Sequence, residues 1–554
     1  MSVSILNSCI TKQKIDLLVY NATVYTVDAD FTKAEALAVN EGKIIAVGKT
    51  SDLLGRFDAN ENLDATGKFV FPGLIDAHAH FFHYGLGLQA VDLVGTTSWN
   101  DVVSKVTTYS ENHSTGWIIG NGWDQNDWVL KEFPDNEKLN KLFPDQPVIL
   151  SRVDGHAAIA NNKALQLAGI KAGDKLEGGE VEVKQGKLTG ILIDNATGLV
   201  YSKVPPVTEA QLKEALRAAE KNCFAVGLTT IDDCGRDYTD ALLVDRMQKN
   251  NELKMRLYIM LSDRKMNYDF LFNNGKIKTD RLNVRAFKLF SDGALGSRGA
   301  CLLHPYFDKS NWSGFLLSSP EHFDSMAKLI SQHGFQMCTH AIGDSANRTM
   351  LLIYSKYLKG KNDQRWRIEH AQVIDKNDFH YFGGNNIIPS VQPTHATSDM
   401  YWAGNRMGKE RLKYAYANKE LKNENGWIPL GTDFPVEDIS PIKTFYAAVF
   451  RRDAKGWPEE GFQMENALSR EEAIRGMTIW AAKANFEENE KGSLEKEKFA
   501  DFVLLDNDLM NADQKDILKT KVMMTFVNGE KVFDRDLEPK AGNITKTELT
   551  KVGN

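Results

Sequence analysis

With 554 residues the chain is longer than one small core needs; at roughly 100–200 residues per domain, it has room for one large barrel with an attached domain. Hydrophobic residues make up 42% and charged residues 25%, which excludes a disordered or fibrous chain and fits a soluble globular one. The net charge of −7 carries no basic stripe, so nucleic acid is not an expected partner.

The five cysteines (Cys9, Cys223, Cys234, Cys301, Cys338) are scattered, odd in number and without a C-x-x-C pair. Neither a disulfide framework nor a cysteine zinc knuckle is indicated. No apolar run approaches the ~18 residues of a membrane helix, and a cytoplasmic location is expected. The segment 3–9 also reads as the tail of a shortened lipoprotein signal ending at Cys9, which would make the protein periplasmic or lipid-anchored; the positive leader and full apolar core of such a signal are missing.

Taken in order, residues 16–27 and 36–47 are short β-rich runs with a hairpin signal at 40–43. At the far end, 499–506 and 522–533 repeat the pattern around Asn528-Gly529. Each piece alone has too little core, so the two ends predict one discontinuous β-sandwich, 1–70 with 491–554. Between them, strand-like runs alternate with helical stretches, the pattern of a parallel α/β fold. The runs at 69–76, 227–232, 256–261, 284–290, 335–339, 365–369, 387–392 and 427–431 number eight, which predicts a (β/α)8 TIM barrel over 71–490. The long interval at about 84–208 has strand-like runs of its own and reads as an insertion over the barrel mouth, or else as a miscounted strand. Residues 469–490 have helical spacing and are expected to form barrel wall.

In such a barrel the C-terminal strand ends form the active site. The first run, read as one strand over 68–76, leads into His78 and His80. Two residues apart on an extended chain they share a face, and zinc and its neighbours favour such a pair. Lys288 lies in the fourth run, His340 and His370 end the fifth and sixth, and Asp433 ends the eighth. Singly each has a plain alternative: a satisfied core histidine for His340 or His370, a helix cap before Pro435 for Asp433. With only 12 histidines in the chain, four at strand ends favour a metal site. Lys288 must lose its charge or find an anion inside a barrel. Reaction of its amine with carbon dioxide to a carbamate is one solution; an ion pair with Asp292 or Glu369 is the other.

The stretches Pro72-Gly-Leu-Ile-Asp-Ala-His-Ala-His80, Gly122-Trp-Asp124, Arg152-Val-Asp-Gly-His156-Ala, Phe287-Lys-Leu-Phe-Ser-Asp-Gly-Ala-Leu-Gly-Ser-Arg298, Thr339-His-Ala-Ile-Gly-Asp344, Arg367-Ile-Glu-His-Ala-Gln372 and Gly431-Thr-Asp-Phe-Pro435 together resemble the amidohydrolase superfamily. The nearer resemblance is to the branch of N-substituted formamide deformylases and YtcJ-like proteins. It implies a β-sandwich beside a metal-bearing barrel and a metal-activated water as nucleophile. By that resemblance His78, His80, a carbamylated Lys288, His340, His370 and Asp433 would hold one or two divalent metals, zinc first among them, with Lys288 bridging a binuclear centre.

The expected reaction is hydrolysis of a C–N, amide-like bond, N-acyl or N-formyl, in a small molecule. Asp433 is the candidate general base and then acid. His156 is the candidate second donor to the developing oxyanion, with a structural loop histidine as the alternative. Arg298 would meet a polar or anionic part of the substrate, or clamp its own loop. Trp123, Trp128 and Trp402 would line an apolar pocket, or fill the core of the insertion. Rival functions are ester or lactone cleavage, ring deamination, or a non-catalytic binding or regulatory role. Lys288 speaks against the deaminases, which generally use one metal without a bridging lysine. The substrate is set by 84–208 and by the loops at 395–402, which have no readable code. A homodimer is the one macromolecular partner the resemblance suggests.

Overall fold

The computed structural model describes residues 12–112, 115–360 and 362–538; Cys9 lies outside them. Near the N-terminus, Gln13–Tyr20 pairs antiparallel with Ala36–Asn40 and parallel with Phe57–Asp64. Lys43–Gly48 completes a four-stranded sheet. Its hairpin turn has Glu41 at φ 50° and Gly42 at φ 73°, the left-handed pair that a two-residue hairpin requires.

A second sheet takes strands from both ends of the chain. In spatial order it runs Lys33–Ala34, Thr23–Tyr25, Phe69–Pro72, Phe502–Leu505, Val522–Val527 and Glu530–Asp534. The predicted turn at Asn528-Gly529 is present, again with both residues at positive φ. Leu17, Val39, Val70, Phe502 and Phe526 belong to one apolar cluster shared by the two sheets.

The central sheet is parallel along its whole path. It runs from Leu74–Ala79 through Leu228–Arg236, Arg256–Ser262, Leu282–Phe290, Gln336–Ala341 and Arg367–His370 to Ile388–Ser390. Hydrophobic side chains on the outer face of these strands pack under the flanking helices in the largest core. Several of those helices carry their boundary signals in the sequence. Thr208 and Gln211 form a capping box at the start of Glu209–Ala225. Ser319, Pro320 and Gly334 bound Pro320–His333. Among the described residues no helix is long and apolar enough to cross a membrane.

Two strand assignments need correction. The run read as one strand over 68–76 is two: Phe69–Pro72 belongs to the end sheet, and Leu74–Ala79 opens the barrel. The break falls at Gly73, where a Cβ would lie 2.3 Å from Thr229 Oγ1; only glycine lets the chain cross between sheets so closely. The eighth run, 427–431, is no strand but a single bridge of Leu430 to Val391. Pro429 has no N–H to give to a ladder, and at Gly431 a Cβ would stand 2.6 Å from the His78 amide nitrogen. The seven-stranded sheet nevertheless closes through this segment, because Gly431 N–H donates to Val391 O (3.1 Å) and Ala77 N–H to Leu430 O (3.2 Å).

The interval at 84–208 contains a six-stranded sheet, ordered Gly179–Lys184, Lys187–Asp194, Ala157–Ala160, Val148–Arg152, Ile118–Trp123 and Val91–Asp92. It has its own apolar core around Trp123, Trp128, Leu150 and Ile159.

Candidate metal centre

Parallel register brings the strand ends level: Phe290 lies opposite His340, and Ala341 opposite His370. His78, Lys288, His340, His370 and Asp433 are buried, with His80 partly exposed beside them. Ligand atoms of His78, His370 and Asp433 all fall within 4.8 Å of one another. Asp433 Oδ1 faces His80 Nε2 at 3.2 Å and His78 Nε2 at 3.5 Å, yet accepts no hydrogen bond. The imidazole centroid of His370 is 4.6 Å from that of His340 and 4.7 Å from that of His78. His370 (φ 72°) and Asp433 (φ 64°) both adopt left-handed backbone, which non-glycine residues hold only where surrounding structure imposes it, often at functional sites.

The strand-end histidines are aimed by their second nitrogens. His78 Nδ1 donates to Glu369 Oε2 (2.5 Å), His80 Nδ1 to the Cys234 carbonyl (3.3 Å) and His370 Nδ1 to Gln392 Oε1 (2.7 Å). Each contact leaves Nε2 with its lone pair, the form in which imidazole binds a metal. Glu369 is itself gripped by Arg367, which also pairs with Asp232 at 2.8 Å. Burial would raise the Glu369 carboxyl, but Arg367 and His78 hold it well below the usual range. Asp76 ties the first strand to the closing segment through Thr432 Oγ1 (2.6 Å) and Thr432 N (2.9 Å).

Electrostatics keep His78, His340 and His370 neutral. Burial, helped by the charge of Lys288, lowers His78 to about 4. Burial and neighbouring histidines press His340 and His370 well below the ordinary value. Asp433 moves the other way from what burial alone would do: contacts with His395 and His80 hold it well below the usual carboxylate range. Lys288 Nζ lies 3.1 Å from His78 Nε2 and 4.8 Å over the Phe290 ring. Neither acidic partner weighed for it is engaged with it. Asp292 accepts from the backbone N–H groups of Cys301, Ile342 and Gly343, and Glu369 serves His78 and Arg367. The buried His340 Nε2 and Asp433 Oδ1 make no hydrogen bond. Unpaired donor atoms converging with neutral imidazoles are what a divalent cation fits.

A family model described as "Amidohydrolase family" matches residues 61–533. The chain belongs to the amidohydrolase family. Among curated relatives, it is 33% identical to Protein LONG AFTER FAR-RED 3 of Arabidopsis thaliana, over 94% of this chain and 91% of that one. It is 29% identical to the putative amidohydrolase YtcJ of Bacillus subtilis (92% and 98%) and 27% identical to N-substituted formamide deformylase of Arthrobacter pascens (94% and 99%). An uncharacterized metal-dependent hydrolase from Pyrococcus horikoshii has a solved structure with a TM-score of 0.73 and 25% identity, covering 90% of this chain and 99% of that one. These relatives bear out the branch that the sequence motifs resemble.

Around this amidohydrolase centre the remaining candidates divide. His156, at the edge of the inserted sheet, lies with its ring centroid 5.0 Å from that of His340. Burial would lower it, but the Asp194 carboxylate at 2.6 Å raises it to about 9. Arg298 does not reach the centre: its fork is taken by Asp308 at 3.0 and 3.2 Å, which is the loop-clamp arrangement. Trp123 is a correction too. It is fully buried in the core of the insertion, donating from Nε1 to Leu150 O at 2.8 Å, the core-filling arrangement. Trp128 shares its cluster. Trp402 instead packs with Leu295, Ile342 and Ala396 between loops of the barrel mouth.

Two site residues escaped sequence reasoning. His395 donates to Asp433 Oδ2 (3.2 Å) and contacts Glu437 (3.0 Å), and the two carboxylates hold it well above its ordinary value against the pull of burial. It sits on the helix Pro393–Asp399, one turn beyond a strand end, so a search confined to strand ends passes it by. Asp194 has no partner near it in sequence; its only signal was a carboxylate ending a β-rich run.

Proposed function

We propose that this protein is a metal-dependent hydrolase cleaving an amide-like C–N bond, N-acyl or N-formyl, of a small molecule. The observation that carries the reading is the cluster of His78, His370 and Asp433, their ligand atoms within 4.8 Å of one another, beside His80, Lys288 and His340, with His340 Nε2 and Asp433 Oδ1 making no hydrogen bond. His78, His80 and Asp433 would hold one cation, zinc by preference for this donor set, and His340 and His370 a second. Lys288, lacking a carboxylate partner, is the residue to carry a carbamate between them. A divalent cation held there polarises a substrate carbonyl and brings the pKa of water from 15.7 down to about 7.

The protein's own groups do the rest. Asp433, kept ionised by its contacts, accepts the proton of the attacking water on Oδ1 and returns it to the leaving nitrogen. His395 fixes the other oxygen of that carboxylate, so Oδ1 is the one presented. His156, protonated at neutral pH, offers an N–H to the oxygen on which negative charge develops. The 27% identity to an N-substituted formamide deformylase supports the formyl end of the class. Around this centre we read residues 71–490 as the barrel domain, with its insertion, and both chain ends as a β-sandwich resting on the shared cluster of the two end sheets. A cytoplasmic homodimer is the expected working form.

The test is metal analysis of protein purified without chelator, native mass of the Lys288-containing protein, and turnover of a panel of N-formyl and N-acyl amines. Two equivalents of metal, one added carbon dioxide unit and hydrolysis of a panel amine are expected. One equivalent without added mass would make Lys288 structural and bring deamination forward. A fully loaded protein that turns over no amine, ester or lactone would replace the enzymatic reading with a binding role.

A further inference from the structure

We infer that Asp194 positions His156, and that the pair forms a dyad delivered to the metal centre by the inserted sheet; this rests on the reading above that His156 faces the substrate. Several independent features converge on it. Asp194 Oδ1 is 2.6 Å from His156 Nδ1, while the Asp194 N–H donates to the His156 carbonyl at 2.8 Å. The two residues are thus locked by backbone and side chain at once, just beyond the antiparallel pair Ala157 and Ile193. Asp194 adopts φ 50° and ψ −122°, a conformation costly for any residue with a side chain, so the surrounding structure holds it there against strain.

The carboxylate is also received by the barrel. It enters between Gly293 and Gly299 of the loop after the fourth strand, where an added Cβ would stand 2.6 and 2.5 Å from Asp194 Oδ2. Neither glycine has positive φ, so side-chain clearance, not backbone freedom, is what glycine provides at both positions. The glycine spacing of that loop, conspicuous in the sequence, is the imprint of a side chain from another layer. Asp194 Oδ2 is buried and makes no hydrogen bond; the group's one strong partner is the imidazole.

With Nδ1 engaged, Nε2 is the polar atom of His156 left free, on a ring 5.0 Å from His340. An aspartate in this position fixes the ring's orientation and keeps the proton on Nδ1, as a buried carboxylate does for a histidine in hydrolytic triads. The active site is then built from two layers, the histidine cluster of the barrel and an oriented imidazole from the insertion. A structural pin between the layers is the alternative, and the two differ in what they predict for catalysis.

Asp194→Asn keeps the volume and removes the charge; Gly299→Ala leaves Asp194 in place and pushes its carboxylate out of the cradle. In protein labelled with nitrogen-15 histidine and loaded with zinc, the wild type should show a hydrogen-bonded Nδ1 proton that is absent from His156→Gln. Both variants should lose or shift that resonance while keeping full metal content. On the best amine of the panel, kcat should fall about 100-fold with KM nearly unchanged, the pattern for a group acting in the transition state. Unchanged kcat with a lowered Tm would establish the pin and overturn the dyad, as would an Nδ1 resonance that survives both substitutions. If the wild type turns over no panel amine, the hydrolase reading fails on its own account, and the Nδ1 resonance in the two variants still decides whether Asp194 holds His156.

Discussion

The rim of the barrel and the inserted sheet meet at the same few cubic ångströms by different means. The rim supplies five residues that parallel register brings together, since each sits near a strand's C-terminal end and the strands rise together, with Asp433 added by the closing segment beside them. The insertion supplies His156 by docking: its sheet has a separate core, and Asp194 and Arg152 lie against Gly293, Gly296 and Gly299 of a barrel loop. Residues delivered by register are fixed once the barrel forms. Those delivered by docking depend on a second interface, and can vary without touching the metal.

The sharpest way to break the comparison is to remove a rim ligand. On the proposed roles, Asp433→Ala should cost more than about 10³-fold in kcat/KM, because it would delete both a metal ligand and the proton acceptor. Metal content should fall with it, and the inserted sheet should remain folded by circular dichroism; retention of metal and activity would remove Asp433 from the centre. A middle-sized effect is expected inside the insertion. Trp123→Phe loses the bond to Leu150 O and leaves a small void, costing about 1–2 kcal/mol of stability, with KM unchanged on any substrate found. A changed KM would return Trp123 to the pocket.

The smallest effect lies on the barrel wall, away from both. Burial would raise Glu472, but Lys419, Lys422 and the Ser469 N–H bring it down to about 2. A carboxyl with a depressed folded-state pKa stabilises above its unfolded value, near 4.5, and loses that contribution as pH falls towards 2. Glu472→Gln should therefore lower Tm slightly at pH 6, by the equivalent of less than about 1 kcal/mol for so partly exposed a group. The difference should shrink as pH falls below about 4.5 and be gone near pH 2; a gap that persists there would assign it to packing instead.

What could be read from the sequence follows the same division. His78, His80, Lys288, His340, His370 and Asp433 were legible because strand period and residue type are local properties. The closing strand was over-read, since Pro429 and the close approach at Gly431 limit it to one bridge. The first was misjoined, since the step from one sheet to another at Gly73 has no length signal. Trp123 looked available because composition cannot tell an inward face of a lid from a pocket wall. Asp194 and His395 stayed hidden, since each acquires its partner from an element far along the chain.

The sheet that interleaves Thr23–Tyr25 and Phe69–Pro72 with Phe502–Leu505 and Val522–Val527 also bears on how the molecule comes into being. A strand pairing across more than 400 residues closes late, since loop entropy must be met before the contact repays it. On the ribosome the N-terminal strands wait, with an open edge at Phe69–Pro72, until the strands Phe502–Leu505 and Val522–Val527 emerge. Since Leu74 follows that edge by two residues, the histidine pair at 78 and 80 is seated beside strands made more than 400 residues later. That late closure thus secures the strand leading to His78 and His80.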